Sequence, residues 1–185
     1  MATAPPEQLD LGDGHQLIRA RLVQADATSA AVLESLEHLR PWMPWATPAG
    51  ASVAAQRQRL VQVERDWDDR RDFSYIVQAV DDQRMLGGAS LMTRLGSGML
   101  EIGYWLHVDA CGRGLATRAA AALTDAALDV TGIDLVVIRC DEANHRSALI
   151  PGRLGYRLDR VEPYAPEAPA QTGWMMVWEQ RRPGR

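Results

Sequence analysis

The sequence predicts an α+β fold: a central mixed, mostly antiparallel sheet flanked by helices, with the element order βααβββαβαββ. Three strand-like runs follow one another between residues 72 and 108 with no helix between them, so these strands should pair antiparallel. A helical repeat and a continuous apolar run come next, which predicts one parallel β-α-β unit in the second half of the chain. We expect the functional site at that unit.

The first half of the chain predicts a strand and two helices. Residues 15–24 alternate between apolar and polar side chains, and residues 26–39 have apolar side chains at helical spacing. The segment 40–45 contains two prolines and two tryptophans, which predicts an irregular loop. A second helix with a strongly polar face follows over 52–70. The polar residues before position 15 are assigned to no element.

The second half predicts a hairpin and then the parallel unit. Strands over 72–80 and 83–93 meet at Asp81-Asp82, which indicates a hairpin. The remaining elements follow from periodicity and from glycines at element ends. They are a strand over 99–108, a helix over 115–130, an apolar strand over 133–140, a short helix over 144–154, and strands over 156–163 and 172–180 on either side of a Pro/Ala loop.

Composition excludes several classes of function. The chain has 24 acidic and 20 basic residues and a formal net charge of −4, which is the wrong sign for a general nucleic-acid binder. Every basic residue is an arginine, so neither a P-loop lysine nor a Schiff-base lysine is available. The four histidines are dispersed, and nothing resembles metal-ligand spacing. We therefore expect no bound metal.

The length of the chain and its first residues indicate the number of domains and the expected location of the protein. The 185 residues suit one domain, 1–185, with a core at about 15–180. The apolar runs fall far short of the roughly 20 residues that cross a bilayer, and Met1 to Gln16 lacks the features of a secretory signal. We expect a cytoplasmic monomer or homodimer with free thiols at Cys111 and Cys140 and with no membrane or nucleic-acid partner.

A glycine-rich segment, Cys111-Gly112-Arg113-Gly114-Leu115-Ala116-Thr117, lies between a strand and a helix. Its glycines leave backbone N–H groups uncovered beside the first helical turn, which makes a compact anion site that would fit pyrophosphate. An ordinary tight turn is the alternative. A Rossmann dinucleotide site is a second rival, since Gly112-x-Gly114-x-x-Thr117 nearly matches its fingerprint. The threonine at the third position and the three helix-free strands before the motif count against it.

Four ordered stretches resemble the GCN5-related N-acetyltransferase (GNAT) family, and within it the RimJ/RimL type that acetylates ribosomal-protein N-termini. They are Leu39 to Trp45, Leu100 to His107, Gly112 to Thr117, and Asn144 to Ser147 followed by Ile150 to Tyr156. The resemblance implies an acetyl-CoA-dependent N-acetyltransferase with acetyl-CoA as co-substrate. Its acceptor would be a primary amine, on a protein N-terminus or a small molecule.

The resemblance also implies where acetyl-CoA binds. The pyrophosphate would bind the backbone of Gly112, Arg113, Gly114, Leu115, Ala116 and Thr117, and the pantetheine would pair with the strand edge formed by Trp105, Leu106, His107 and Val108. The matching family asparagine, here Asn144, hydrogen-bonds the pantetheine. Cys111 and Arg118 depart from the residues that the family loop often has, but a contact made through backbone N–H groups should tolerate both changes.

Transfer from a thioester to an amine needs a base, donors for the oxyanion and a proton for the thiolate. In the similar enzymes a glutamate at the position of Glu101 deprotonates the amine through water; a solvent-exposed strand glutamate is the alternative. His107 is a second candidate base, although a histidine at a strand end is more often structural. A backbone N–H of a bulged strand, near Leu106, is the expected oxyanion donor.

The proton for the thiolate is assigned to Ser147. The family resemblance supports this role, while the spacing of Asn144 and Ser147 is also explained by simple helix capping. Tyr156 lies too far along the chain to match the tyrosine of other acetyltransferases.

The acceptor side is less defined by sequence. Trp42, Met43 and Trp45 are expected to be core anchors, with an acceptor-channel wall as the alternative. An acidic mouth for a cationic amine could be formed by Glu34, Glu37, Glu162 and Glu167, although scattered carboxylates are expected on an acidic protein. Two other functions stay open: a non-catalytic acyl-CoA-binding regulatory module and a dinucleotide-dependent oxidoreductase.

Overall fold

A computed structural model describes residues 4–182, which form one eight-stranded sheet in the order β1-β2-β3-β4-β5-β6-β8-β7. Neighbouring strands are antiparallel except β5 and β6, which are parallel. This confirms the predicted mixed, mostly antiparallel sheet with one parallel unit. The strands are β1 (Gln8–Gly12), β2 (His15–Arg19), β3 (Asp72–Ala79), β4 (Met85–Met92), β5 (Met99–Leu106), β6 (Leu135–Asp141), β7 (Arg157–Pro163) and β8 (Trp174–Arg181).

Helices cover both faces of the sheet. They are α1 (Ala25–Glu34), α2 (Leu36–Leu39), α3 (Pro48–Ala51), α4 (Val53–Asp68), α5 (Leu115–Asp129) and α6 (His145–Arg153). Ile76 of β3 packs in a cluster with Leu60 of α4, whereas its neighbour Val77 belongs to the cluster that holds Leu123 of α5. Because successive strand side chains point to opposite faces, α4 and α5 lie on opposite sides of the sheet. None of the helices in residues 4–182 is long and apolar enough to cross a bilayer.

One strand was not predicted from the sequence. β1 pairs antiparallel with β2, and the turn Gly12-Asp13-Gly14 has positive φ angles of 71°, 51° and 72°. The strand is hard to recognise because it is an edge strand in which Leu11 is the only buried side chain. The predicted first strand, 15–24, is also shorter and ends at Arg19.

The predicted helix 26–39 is divided at Ser35, which has φ −107° and ψ 7° and separates α1 from α2. Ser35 is buried, and its hydroxyl accepts a hydrogen bond from the N–H of Val108 at 3.1 Å. The break therefore connects the helical layer to the end of β5. The other predicted elements are present within two residues of their predicted ends, and α4 begins where the Ser52 hydroxyl caps the N–H of Ala55.

Candidate functional site

β5 and β6 pair over only part of their length, and a gap opens between them. Met99–Ile102 pairs with Leu135–Ile138, and the pairing stops there, while β5 stays paired with β4 as far as Leu106. The N–H of His107 bonds to the carbonyl of Leu86 on β4 at 2.8 Å, and successive backbone groups point to opposite sides. The backbone groups of Leu106 therefore point into the gap, where an extended chain bearing amides can pair with them.

The bulge expected on this strand lies on its neighbour. β5 keeps one register along β4, and the irregularity is at Leu86 of β4, between the pairs Val77–Gly87 and Gln78–Met85. The expectation of a bulged β5 is therefore wrong: β5, which carries the motif, is regular, and the distortion is in β4. The open edge results from the separation of β5 and β6.

The glycine loop presents a row of free donors. Among residues 4–182, no hydrogen-bond acceptor is found for the N–H groups of residues 112–117, and the first bonded N–H of the helix is that of Arg118, to the carbonyl of Gly114. Gly112 and Gly114 have φ angles of 78° and 72°, and a Cβ at Gly112 would meet no atom within 4 Å. Six consecutive N–H groups without a protein acceptor at a helix N-terminus form a cradle that fits a diphosphate.

Two arginines border this loop. The Nη1 of Arg118 donates to the carbonyl of Arg113 at 3.2 Å and lies 3.5 Å from the carboxylate of Asp13 in the β1–β2 turn. The Arg113 side chain is exposed and has no ion pair within the described part of the chain. The loop is therefore positively charged as well as rich in N–H donors, which suits an anion.

A cavity of about 620 Å³ lies on the α4 side of the sheet, at the gap between β5 and β6. Four of the predicted site residues line it: Glu101, Trp105, Asn144 and Ser147. Leu106, His107, Val108 and residues 112–117 do not line it. The predicted site is thus divided into a cavity and a donor loop, and the open edge of β5 leads from one toward the other.

Glu101 is buried in the cavity wall, with 3% of its surface exposed. Arg94 binds both carboxylate oxygens, with its Nε 2.8 Å from Oε2, and the Nη2 of Arg139 lies 3.1 Å from Oε2. The hydrogen bond to Glu101 is the main cause that raises the pKa of Arg94. Oε1 has one protein donor and Oε2 has two, so Oε1 retains a position for a water molecule. The alternative of a solvent-exposed glutamate is wrong.

Ser147 lies in the first turn of α6, where Asn144 and Tyr104 contact it. Its N–H donates to the Oδ1 of Asn144 at 3.2 Å, so the capping role of Asn144 is present. Its Oγ lies 3.1 Å from the hydroxyl of Tyr104 on β5. Burial is the largest influence on Tyr104 and raises its pKa, which keeps the phenol protonated at neutral pH.

Sequence reasoning missed Tyr104. Alternation along β5 assigns Tyr104 to the face opposite Glu101, and the residue does pack against the α5 cluster. It also lines the cavity, because β6 has separated from β5 at this level and the ring reaches the gap. The sequence signal that could have identified Tyr104 as a site residue was its position within the family-like motif Leu100 to His107.

The His107 ring is buried, and both of its nitrogens form hydrogen bonds with protein groups. Its Nδ1 accepts the N–H of Asp109 at 3.2 Å, so Nε2 carries the proton and donates to Glu34 at 2.9 Å. The ring is 5% exposed. Of the four carboxylates considered for an acidic mouth, only Glu167 lines the cavity. Glu34 bonds His107, Glu37 pairs with Arg40, and Glu162 pairs with Arg160.

Trp42, Met43 and Trp45 all line the cavity. Trp45 is 41% exposed, and its ring contacts Trp105 edge-on with centroids 5.8 Å apart. The expectation of a core anchor is therefore wrong for Trp45, because the two prolines bring this segment over the cavity instead of into the sheet packing.

The end of β6 forms the remaining wall. Burial would raise the pKa of Asp141, but hydrogen bonds from the Ala143 N–H, the Tyr164 hydroxyl and Thr172 together lower it. The neighbouring Cys140 lines the cavity, and burial raises the pKa of its thiol to about 11. Cys140 and Cys111 are both free, as predicted. Within residues 4–182, no three His, Cys, Asp or Glu side chains are grouped to hold a metal ion.

Comparison with known proteins identifies the class. The profile of the family described as Acetyltransferase (GNAT) domain matches residues 17–157. The chain therefore belongs to the GNAT acetyltransferase family, as the motifs predicted. A search of curated proteins returned no significant match.

Three solved structures share the fold over nearly their whole length. The ribosomal-protein-S5-alanine acetyltransferase from Vibrio fischeri is 18% identical, with a TM-score of 0.85 and coverage of 95% of this chain and 96% of its own. RimL, a ribosomal L7/L12 alpha-N-protein acetyltransferase solved with coenzyme A, is 18% identical, with a TM-score of 0.85 and coverage of 95% and 98%. The microcin C7 self-immunity acetyltransferase MccE, solved with acetyl-CoA and AMP, is 20% identical, with a TM-score of 0.84 and coverage of 95% and 97%.

Proposed function

We propose that this protein, as one catalytic domain, transfers the acetyl group of acetyl-CoA to a primary amine. The observation that carries the proposal is the row of free N–H groups at residues 112–117, next to an open strand edge that leads to a cavity holding Glu101 and Ser147. The donor loop suits the diphosphate, and the strand edge suits the amides of pantetheine. Membership of the GNAT family supports the same chemistry.

The acceptor amine must lose a proton before it can attack the thioester carbonyl. Glu101 takes this proton through a water molecule bound at Oε1, the oxygen with only one protein donor. Arg94 and Arg139 hold the carboxylate in position. The N–H of Leu106, at the open edge of β5, is the donor for the negative charge that develops on the carbonyl oxygen.

The leaving thiolate needs a proton, which Ser147 supplies from its hydroxyl. The Tyr104 hydroxyl at 3.1 Å can donate to Ser147 in turn, so the proton is replaced through a group that burial keeps protonated. Asn144 positions the first turn of α6 and also binds the pantetheine. The role of Ser147 requires its side chain, whereas capping requires only its N–H.

The acceptor that we favour is a protein N-terminus, with a small amine as the alternative. Two structural relatives are named as acetyltransferases of ribosomal proteins S5 and L7/L12. The cavity is bordered by Trp42 and Trp45 and by the unpaired carboxylate of Glu167 among the described residues, which suits an ammonium group carried on an apolar chain.

Release of free CoA thiol from acetyl-CoA, measured across a panel of N-terminal peptides and small amines, tests the proposal. We expect turnover with at least one acceptor class, and we expect Glu101→Gln and Ser147→Ala to lower kcat by about 100-fold while calorimetric acetyl-CoA affinity stays unchanged. Glu162→Gln, on the edge strand β7, is the control that should keep full activity.

The two alternative functions give different results. Acetyl-CoA binding without turnover on any amine would indicate a regulatory binding module. Thermal stabilisation by NAD(P) and not by acetyl-CoA would indicate an oxidoreductase.

A further inference from the structure

Arg59 lies on α4 and lines the cavity, and no role in the transfer chemistry accounts for it. Its Nε donates to the Oε1 of Gln56 at 3.2 Å. Gln56 is 3% exposed and is itself held by its Nε2, which donates to the carbonyl of Gly50 at 2.8 Å. A fixed amide therefore orients the guanidinium, while the two terminal nitrogens of Arg59 have no hydrogen-bond partner within residues 4–182.

Four other charged side chains of the cavity wall have protein partners. Arg94 and Arg139 share Glu101. Asp141 accepts hydrogen bonds from the Tyr164 hydroxyl at 2.8 Å and from the Thr172 N–H at 2.8 Å. Two charged groups of the lining then have charged atoms with no hydrogen-bond or ion-pair partner in the described part of the chain. They are the terminal nitrogens of Arg59 on α4 and the carboxylate of Glu167 in the loop before β8.

Arg59 is an exposed residue that lines the cavity, and no carboxylate in residues 4–182 forms an ion pair with it. Nearby protein atoms lower the pKa of Arg59 by desolvation. By contrast, thirteen arginines within residues 4–182 form ion pairs with carboxylates of the chain itself. Because Arg59 lines the cavity, its two unpaired nitrogens are available to bind a ligand.

We infer that Arg59 binds a carboxylate carried by the acceptor, so that the enzyme prefers amines that bear a carboxylate on the same molecule. The inference rests on the proposed function and narrows its substrate class. A guanidinium offers two parallel N–H donors that match the two oxygens of a carboxylate. The ammonium group of such an acceptor meets Glu167 as it enters, and its carboxylate meets Arg59.

The charge count favours a carboxylate over a phosphate. The cavity lining holds three arginines, Arg59, Arg94 and Arg139, and three carboxylates, Glu101, Asp141 and Glu167. These charges already balance, so an acceptor that carries one ammonium group and one carboxylate leaves the cavity neutral. A phosphate dianion on the same amine would leave an excess negative charge. An acidic side chain near a peptide N-terminus and the carboxylate of a short peptide both satisfy this chemistry.

The test uses matched acceptors that differ only in charge. Peptides with Glu or Gln at the second, third or fourth position, and dipeptides as free acids or amides, are compared by kcat/KM for CoA release. We expect the wild type to prefer a carboxylate acceptor over its amide partner by about tenfold or more, the range of a charge-assisted hydrogen bond. Arg59→Gln should remove that preference by lowering kcat/KM for the acid alone, with acetyl-CoA KM unchanged.

Two variants sharpen the result. Arg57→Gln, on the exposed side of the same helix beside Asp26, is the matched control and should keep the preference. Arg59→Glu should reverse it, so that a peptide with Arg in place of Glu becomes the better acceptor.

Failure of the carboxylate inference and failure of the proposed function give different results. Efficient turnover with equal rates for acid and amide acceptors, or an equal loss for both in Arg59→Gln, would overturn the carboxylate inference and leave the acetyltransferase proposal standing. A phosphoserine peptide that outperforms the Glu peptide would overturn the choice of carboxylate. No turnover with any acceptor and no calorimetric acetyl-CoA binding would instead remove the proposed function.

Discussion

The hydroxyl of Tyr104 lies 3.1 Å from the Oγ of Ser147. This contact joins β5 to the first turn of α6 across the gap where β5 and β6 have separated, and Tyr104 also bonds the carbonyl of Ser147 at 3.3 Å. The contact positions the serine and, in the proposed mechanism, is the source of its proton.

Tyr104→Phe should lower kcat by about tenfold while acetyl-CoA affinity stays unchanged, because the variant removes the hydroxyl that supports Ser147 and keeps the ring. Steady-state kinetics and calorimetry measure the two quantities. Tyr156→Phe is the matched control, since Tyr156 bonds Thr124 at 2.6 Å in the buried core and does not line the cavity. The control should lose about 1 kcal/mol of stability and keep kcat. An unchanged kcat in Tyr104→Phe would contradict the relay.

Gly112→Ala and Gly114→Ala should weaken acetyl-CoA binding by about tenfold or more. Their φ angles of 78° and 72° are costly for alanine, by about 1–2 kcal/mol each, so the donor row would be distorted. Gly132→Ala is the control, with φ 87° and open space around it but far from the loop. All three variants should lose stability in urea unfolding, and only the two loop variants should lose affinity. Equal acetyl-CoA affinity in all three variants would contradict the assignment of the diphosphate site to this loop.

Asp141→Asn should destabilise the fold by about 1–3 kcal/mol at pH 7, because it weakens hydrogen bonds to a charged acceptor from the Ala143 N–H, Tyr164 and Thr172. The pKa of Asp141 is lowered in the folded protein. Its charge therefore adds stability above its unfolded pKa, about 4, and that stability is lost as the pH falls through the folded value. Urea titrations should show the difference from wild type shrinking below about pH 4. A difference that does not change with pH would contradict this account.

Trp45→Ala should leave stability within about 1 kcal/mol of wild type and raise the acceptor KM, because Trp45 is a half-exposed wall of the cavity. Trp67→Ala is the contrasting variant. Trp67 is 4% exposed and packs edge-on against Phe73 and Tyr75, so its removal should cost about 3–5 kcal/mol. Thermal melts and acceptor kinetics separate the two effects. A large loss of stability in Trp45→Ala would restore its interpretation as a core anchor.

The local features of the fold could be predicted from the sequence. Strand-like runs bounded by turn residues predicted β3, β4 and β5, and the continuous apolar run predicted the central strand β6. Paired glycines predicted the donor loop before α5. β1 escaped detection because only Leu11 of that strand is buried. The division of the first helix at Ser35 was also missed, since a serine is compatible with a helix until its hydroxyl is required elsewhere.

The amino-acid sequence by itself determined the fold class, the family and the donor loop, because strand alternation, helical repeats and glycine conformations depend on neighbours a few residues apart. Only the tertiary structure decided that Glu101 binds Arg94 and Arg139, that Tyr104 meets Ser147, and that Arg59 faces the cavity. Most of these partners are separated by tens of residues. They come together because β5 and β6 are adjacent in the sheet order and then diverge, which no local pattern encodes.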